Sequence, residues 1–144
     1  MREILFRAKR KDNGKWVEGY YSPHPHPFSG FLKDFIFAPY YDAEKECGYD
    51  NGYQIDVETL CQYTGLTDKN GNKIWENDII KCYADTDDLG NDLYFFYKVI
   101  WHENYHCWWL SDIHTLEDEY LHQFNSSDIE AIGNIFDNPE PIEI

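Results

Sequence analysis

Along most of the chain apolar and polar side chains alternate at the two-residue period of a strand whose two faces differ. In Glu3-Ile4-Leu5-Phe6-Arg7-Ala8-Lys9 the alternation rests on Ile4, Phe6 and Ala8, and Lys11-Asp12-Asn13-Gly14-Lys15 follows as a polar turn. Residues 16–21 read as the return strand, so the chain is expected to open on a hairpin. Between 22 and 52 the pattern breaks, with Pro23, Pro25, Pro27 and Pro39 interleaved with Gly30, Gly48 and Gly52. That stretch reads either as a long irregular excursion around a short strand at 34–38 or as a partly mobile loop.

Regularity returns at Tyr53. Gln54-Ile55-Asp56-Val57 and Leu60-Cys61-Gln62-Tyr63-Thr64 flank a short turn, and Asn70-Gly71 sits where a turn needs positive φ. Ile74-Trp75 leads through Asn77-Asp78 to an apolar strand at 79–83. Beyond the polar loop 85–92 come two strands rich in aromatic and β-branched residues, 93–101 and 107–110, joined by a turn at 102–106. Helical spacing occurs only between Ser111 or Thr115 and Phe124, where Leu116, Tyr120, Leu121 and Phe124 share a face. A last strand is expected at 129–135, ahead of a Pro-containing tail at 138–144. The expectation is one mainly-β domain over 1–144, an antiparallel twisted sheet or small barrel-like core with one short helix.

Composition narrows this further. Among 144 residues, 42% are hydrophobic and 26 are aromatic, ample material for a packed core. At this length two independent cores are not expected. The formal net charge of −15 repels phosphate backbones and anionic lipid, which argues against direct nucleic-acid or membrane binding. Charges interrupt the apolar residues of the first ten positions, so no secretory signal is read there, and the expected compartment is the cytoplasm. Cys47, Cys61, Cys82 and Cys107 lie 14, 21 and 25 positions apart without a C-x-x-C pair, and are read as small structural hydrophobes.

Three separated stretches resemble the YopX family of small phage and prophage proteins. They are Arg2-Glu3-Ile4-Leu5-Phe6-Arg7-Ala8 with Lys15-Trp16-Val17-Glu18-Gly19-Tyr20, then residues 62–79 centred on Thr64-Gly65-Leu66-Thr67-Asp68-Lys69-Asn70-Gly71, and Ile132-Gly133-Asn134-Ile135-Phe136-Asp137-Asn138-Pro139-Glu140. The resemblance implies a phage-derived protein of a bacterial host cytoplasm and supplies no catalytic residues to carry over. Where the family pattern has Gly before Asp-Ile, this chain has Asn77, the non-glycine residue that best tolerates positive φ. The strand pair 78–80 and 99–101 also resembles that of small SH3-like barrels.

Candidate chemistry is sparse. His102-Glu103-Asn104-Tyr105-His106 matches H-E-x-x-H, whose metal chemistry needs a helix to bring both imidazoles to one ion. Its flanks, Val99-Ile100-Trp101 and Cys107-Trp108-Trp109, predict strands joined by a turn instead. With 6 His in the chain and 12 Glu by count of the sequence, about one chain in fifty matches by chance, so a hydrolase is the remote reading. His24 and His26 in the Pro-x-Pro run could hold a copper or nickel ion and equally serve as solvated loop residues. Asp85, Asp87, Asp88 and Asp92 fail the EF-hand register, since Leu89 and Phe96 occupy ligand positions, and leave at most a weak cation site. Asp68-x-Asn70-Gly71 reads as a turn, Asn125-Ser126-Ser127 as an irrelevant acceptor sequence, and Gly71-Asn72-Lys73 lacks the rest of a phosphate loop. No catalytic, cofactor-binding or metal residue is assigned.

The aromatic runs weigh most. On a strand Phe95 and Tyr97 point one way while Tyr94 and Phe96 point the other, so one small sheet cannot hide them all. The expected role is therefore a non-enzymatic protein-binding or assembly module that forms a homo-oligomer and meets a host or phage protein. An acidic DNA mimic that occupies a host nucleic-acid-binding protein is the alternative.

Overall fold

The computed structural model describes residues 3–23, 33–42, 47–113 and 118–139. The chain divides into two compact units, Met1–Tyr63 and Thr64–Ile144, and among the described residues a cluster of buried hydrophobic side chains lies in each.

In the first unit β1 (Phe6–Arg10) and β2 (Trp16–Ser22) form the expected hairpin, with Phe6 opposite Gly19 and Lys9 opposite Trp16. Its turn is closed by Arg10 N–H on the Lys15 carbonyl at 2.9 Å and Lys15 N–H on Asn13 Oδ1 at 2.9 Å. β2 continues onto β3 (Phe35–Asp42), which pairs with the start of β4 (Cys47–Thr67) from Phe35↔Gln54 to Asp42↔Cys47. The short strand expected at 34–38 is thus an eight-residue strand, and residues 47–52 belong to β4 and not to the irregular excursion. Pro39 is tolerated because β2 has already left β3 at that point, so no ladder partner misses its N–H.

β4 then turns along β1, with Lys9↔Asp56 and Phe6↔Gln62, so the four strands close on themselves. The turn expected between Val57 and Leu60 is a wide bulge inside this strand. Thr59 holds it, accepting the Lys9 N–H at 2.8 Å and donating to the Asp56 carbonyl at 2.6 Å. Ala8, Ile36 and Ile55 are buried at the centre, with Phe6, Val17, Tyr21 and Leu60 against them. The Tyr21 hydroxyl donates to Asp34 Oδ1 at 2.7 Å, and burial followed by the neighbouring carboxylate pushes that phenol up to about 12.

The second unit contains β5 (Lys73–Trp75), β6 (Asp78–Thr86), β7 (Asp92–His102), β8 (Cys107–Asp112), β9 (Asp118–Tyr120) and β10 (Ile129–Asn134). Five of them make an antiparallel sheet in the order β10-β6-β7-β8-β9. Ile74, Ile80, Cys82, Tyr97, Val99, Trp108, Leu110, Leu121 and Ile129 pack as its core. The predicted helix does not form where it can be followed: 118–120 is strand and only Leu121–Gln123 turns, as a single 3-10 turn. Pairing of Trp109 with Tyr120 takes those residues into the sheet, while Leu121 is buried in the core and Phe124 packs against it. Asp87, the centre of the acidic loop, accepts the N–H groups of Leu89 and Asn91 at 2.9 and 2.8 Å, and the Asn91 bond holds its carboxyl below the usual carboxylate range. Among the described residues no helix is long and apolar enough to cross a membrane.

Asn77 has φ 68° and Gly71 φ 79°, as their positions in the two turns predicted. No neighbour lies within 4 Å of a Cβ built on Gly71, so strain there is purely backbone. Gly71→Val is therefore expected to cost about 1–3 kcal/mol, read as a lower midpoint in urea unfolding with the fold retained. An unchanged midpoint would show that the turn tolerates a β-branched residue at positive φ.

Candidate binding surface on the second sheet

Residues directly opposite in antiparallel strands share a face, so register assigns the sides of the second sheet. One side carries Tyr97, Val99, Trp108, Leu110 and Asp112, all buried. The other carries two cross-strand rows, Lys98-Ser111-Asp118 and Ile100-Trp109-Tyr120, in which the β7 and β8 residues and Tyr120 are half-buried and Asp118 is exposed.

At the end of this outer side the β7–β8 turn folds back over the sheet. His106 N–H donates to the His102 carbonyl at 2.8 Å, and His106 itself has φ 52°. Tyr105 is thereby laid parallel to the Trp109 indole, centroids 5.4 Å apart and planes 15° apart. His102 lies on the same indole at 4.1 Å, and Tyr120 meets it edge-on at 5.0 Å. Trp109 Nε1–H donates to Cys107 Sγ at 3.0 Å, which fixes the indole in place. The result is an aromatic shelf whose outermost ring, Tyr105, is 61% exposed.

The H-E-x-x-H stretch is therefore the end of a strand and a tight turn, and it lacks the helix that its metal chemistry requires. Among the described residues no group of three or more His, Cys, Asp or Glu is placed to hold a metal ion. His24 and His26 lie outside the described residues. Asp68, whose spacing looked calcium-like, is buried and accepts the N–H groups of Asn70, Asn72 and Ala131, each at 2.9 Å. Asp85 accepts the Thr86 N–H at 2.7 Å and Asp92 the Thr86 hydroxyl at 3.2 Å, so with Asp87 these carboxylates organise the β6–β7 turn. Cys61, Cys82 and Cys107 are not in disulfides, the Cys61 thiol donates to the Thr59 carbonyl at 3.3 Å, and burial pushes Cys82 up to about 12.

A second feature is the β6–β7 hairpin beyond the sheet. Strand alternation holds there, with Tyr83 meeting Tyr94 at 6.0 Å and Phe95 meeting Tyr97 at 6.3 Å. Burial, however, follows position along the strand and not face: Phe96 and Tyr97 are both buried, whereas Leu93, Tyr94 and Phe95 are all exposed. β10 pairs with β6 as far as Cys82, and on the other edge β8 pairs with β7 as far as Tyr97, followed by Ile113 N–H on the Phe96 carbonyl at 3.2 Å. Residues 83–86 and 92–95 thus form a two-stranded arm with both outer edges unpaired among the described residues. Leu89 at its tip is 88% exposed. Against the base of the arm lies a groove of about 110 Å³ in which Lys81 Nζ sits 4.1 Å above Tyr94 and Lys69 pairs with Glu130 at 3.2 Å.

Charge is distributed unevenly. Thr64–Ile144 holds 17 Asp and Glu against 4 Lys, a net of −13, whereas Met1–Tyr63 holds 10 against 8 Lys and Arg, a net of −2. Alternation on β7 was readable from the sequence, but the open edges were not. Tyr105 was overlooked for the opposite reason, since its histidine neighbours drew the motif reading while the turn geometry exposes the ring between them.

A family model described as YopX protein matches residues 5–143. The fold is similar to the crystal structure of protein EF1440 from Enterococcus faecalis, with a TM-score of 0.57 at 18% identity over 97% of this chain and 98% of that one. No curated protein matches the chain.

Proposed function

The chain belongs to the YopX family, and on that premise we propose that it is a non-enzymatic binding module, of phage origin and cytoplasmic, that assembles with further copies of itself through the β6–β7 arm. What supports this reading is the arm at 83–86 and 92–95, exposed on both faces and, among the described residues, open along both edges. A long unpaired edge bearing apolar side chains is a template for another strand, and a two-stranded ribbon gains stability from a third or fourth. The nearest matching strand at any concentration is the same arm of a second copy, met across a two-fold axis.

Asp85, Asp87, Asp88 and Asp92 oppose this pairing, because two arms bring like charges together. That repulsion is screened beyond about 8 Å at physiological salt, while contact among Tyr83, Leu93, Tyr94 and Phe95 is not. Association should therefore strengthen with salt. Sedimentation velocity of the full chain at tens of micromolar, in about 0.05 and 0.5 M salt, is expected to show a dimer or larger species favoured at the higher salt. Phe95→Arg is expected to return it to monomer without loss of fold. A monomer at both salts would overturn the proposal.

A further inference from the structure

We infer that the aromatic shelf of Tyr105, Trp109 and Tyr120 is a recognition surface for an arginine-bearing segment of a basic protein. This surface is separate from the arm, and the inference does not rest on self-association.

Three rings elsewhere in the chain, Trp16, Tyr53 and Tyr94, already carry a cation. Arg7 and Lys9 lie over Trp16 at 4.5 and 5.4 Å, Arg10 lies 4.1 Å over Tyr53, and Lys81 covers Tyr94. Each of these rings presents its negative face to a cation supplied by the same unit. No Lys or Arg of the described residues lies over Tyr105, Trp109 or Tyr120, although Tyr105 is 61% exposed. The unit that carries the shelf contains no arginine at all.

Charge favours a cationic partner. Glu103 stands in the turn beside Tyr105, and Asp118 lies on the same side of β9 as Tyr120. Both are exposed, and neither forms an ion pair with a described residue. With a net of −13 in the unit as a whole, the potential over the shelf draws cations and repels phosphate. Nucleic acid, which would otherwise suit stacked rings, is thereby disfavoured.

The shelf is open and not a pocket, since its rings pack on one another at 4.1 to 5.4 Å and leave no gap for a ligand between them. A flat guanidinium stacks on such an outer face, whereas a strongly hydrated ammonium gains less there. Arginine is therefore the side chain that the shelf distinguishes, with Glu103 and Asp118 placed at the rim for its N–H groups.

The test uses the full chain and a labelled octapeptide of alternating Arg and Gly, with a Lys-Gly peptide of equal charge and a Pro-rich neutral peptide as comparisons. Saturable binding of the Arg peptide is expected by fluorescence anisotropy, weaker at higher salt, with the Lys peptide at least about 3-fold weaker. Tyr105→Leu, which keeps apolar bulk against Trp109, is expected to weaken Arg-peptide binding by about 5-fold, and Tyr105→Phe to preserve it within about 2-fold. Equal affinity for the Arg and Lys peptides, or no effect of Tyr105→Leu, would reduce the binding to bulk charge and overturn the inference. So would preferential capture of the Pro-rich peptide, or the absence of any binding at millimolar peptide.

Discussion

Gly19→Ala is expected to destabilise the Met1–Tyr63 unit by about 3–4 kcal/mol, at the upper end of what over-packing costs. Gly19 lies in β2 opposite Phe6 and is buried. A Cβ built on it falls well inside contact distance of the Phe37 carbonyl oxygen, 2.8 Å from that carbonyl's carbon and 3.0 Å from Ile36 Cγ2. Two of these atoms are backbone, so no rotamer change makes room. The strand must move instead, and moving it disturbs the Tyr20↔Phe37 pairing that joins β2 to β3 and the Ile36 side chain at the core. Hydrogen exchange is the suitable readout, because it separates the units. Protection should fall in β1 to β3 and persist in β6 to β8. A loss below about 1 kcal/mol would show that β2 can shift without breaking its ladder.

Asp68→Ala is expected to cost the second unit about 3–5 kcal/mol. The carboxylate is 3% exposed and accepts three backbone N–H groups. Two come from its own turn, and the third, from Ala131, ties that turn to β10 across 63 residues of sequence. Hydrogen bonds to a charged acceptor contribute about 1.5–3 kcal/mol each, and their loss leaves the donors to find water from a part-buried position. Asp68→Asn keeps one carbonyl oxygen for Asn70 and Asn72 and should lose about half as much. Urea unfolding of both variants measures this, together with the exchange rate of the Ala131 amide. If alanine and asparagine cost the same small amount, the carboxylate is a turn former only and does not fasten β10.

These two substitutions mark the difference between local and non-local information. Gly19 and Gly71 both stand in stretches that resemble the family, but only Gly71 reads from the sequence as a glycine that the backbone needs. Gly71 needs it for φ, a local property that Asn70-Gly71 announces. Gly19 needs it because Phe37, eighteen residues away, passes close by, and nothing adjacent to Gly19 reports that. Asp68 is similar: its Asx-type turn was legible beside Asn70, while the bond to Ala131 required β10 to be in place.

The hairpin at 102–106 shows how the same limit affects a candidate site. Apolar flanks with β-branched and aromatic residues correctly indicated two strands joined by a turn, which removed the helix that H-E-x-x-H would need. The turn's left-handed residue, His106, and the stacking of Tyr105 on Trp109 were not indicated, since both depend on how the closing turn leans over the sheet. The 111–124 stretch misled in the reverse direction. Its helical spacing is real, but Tyr120 gains more by pairing with β8 than a short helix could return.

By itself the sequence determined the strand-rich class, the hairpins at 6–22 and 92–112, the positive-φ turns at Gly71 and Asn77 and the acidic charge, because each depends on a residue and its near neighbours. Only the tertiary structure decided that β4 closes against β1, that described buried hydrophobics cluster within each unit, and that among the described residues the pairing of β8 and β10 ends short of the β6–β7 arm. Those outcomes turn on which distant strands pair and where each pairing stops. Periodicity in one strand records that it has two faces and is silent about what reaches them.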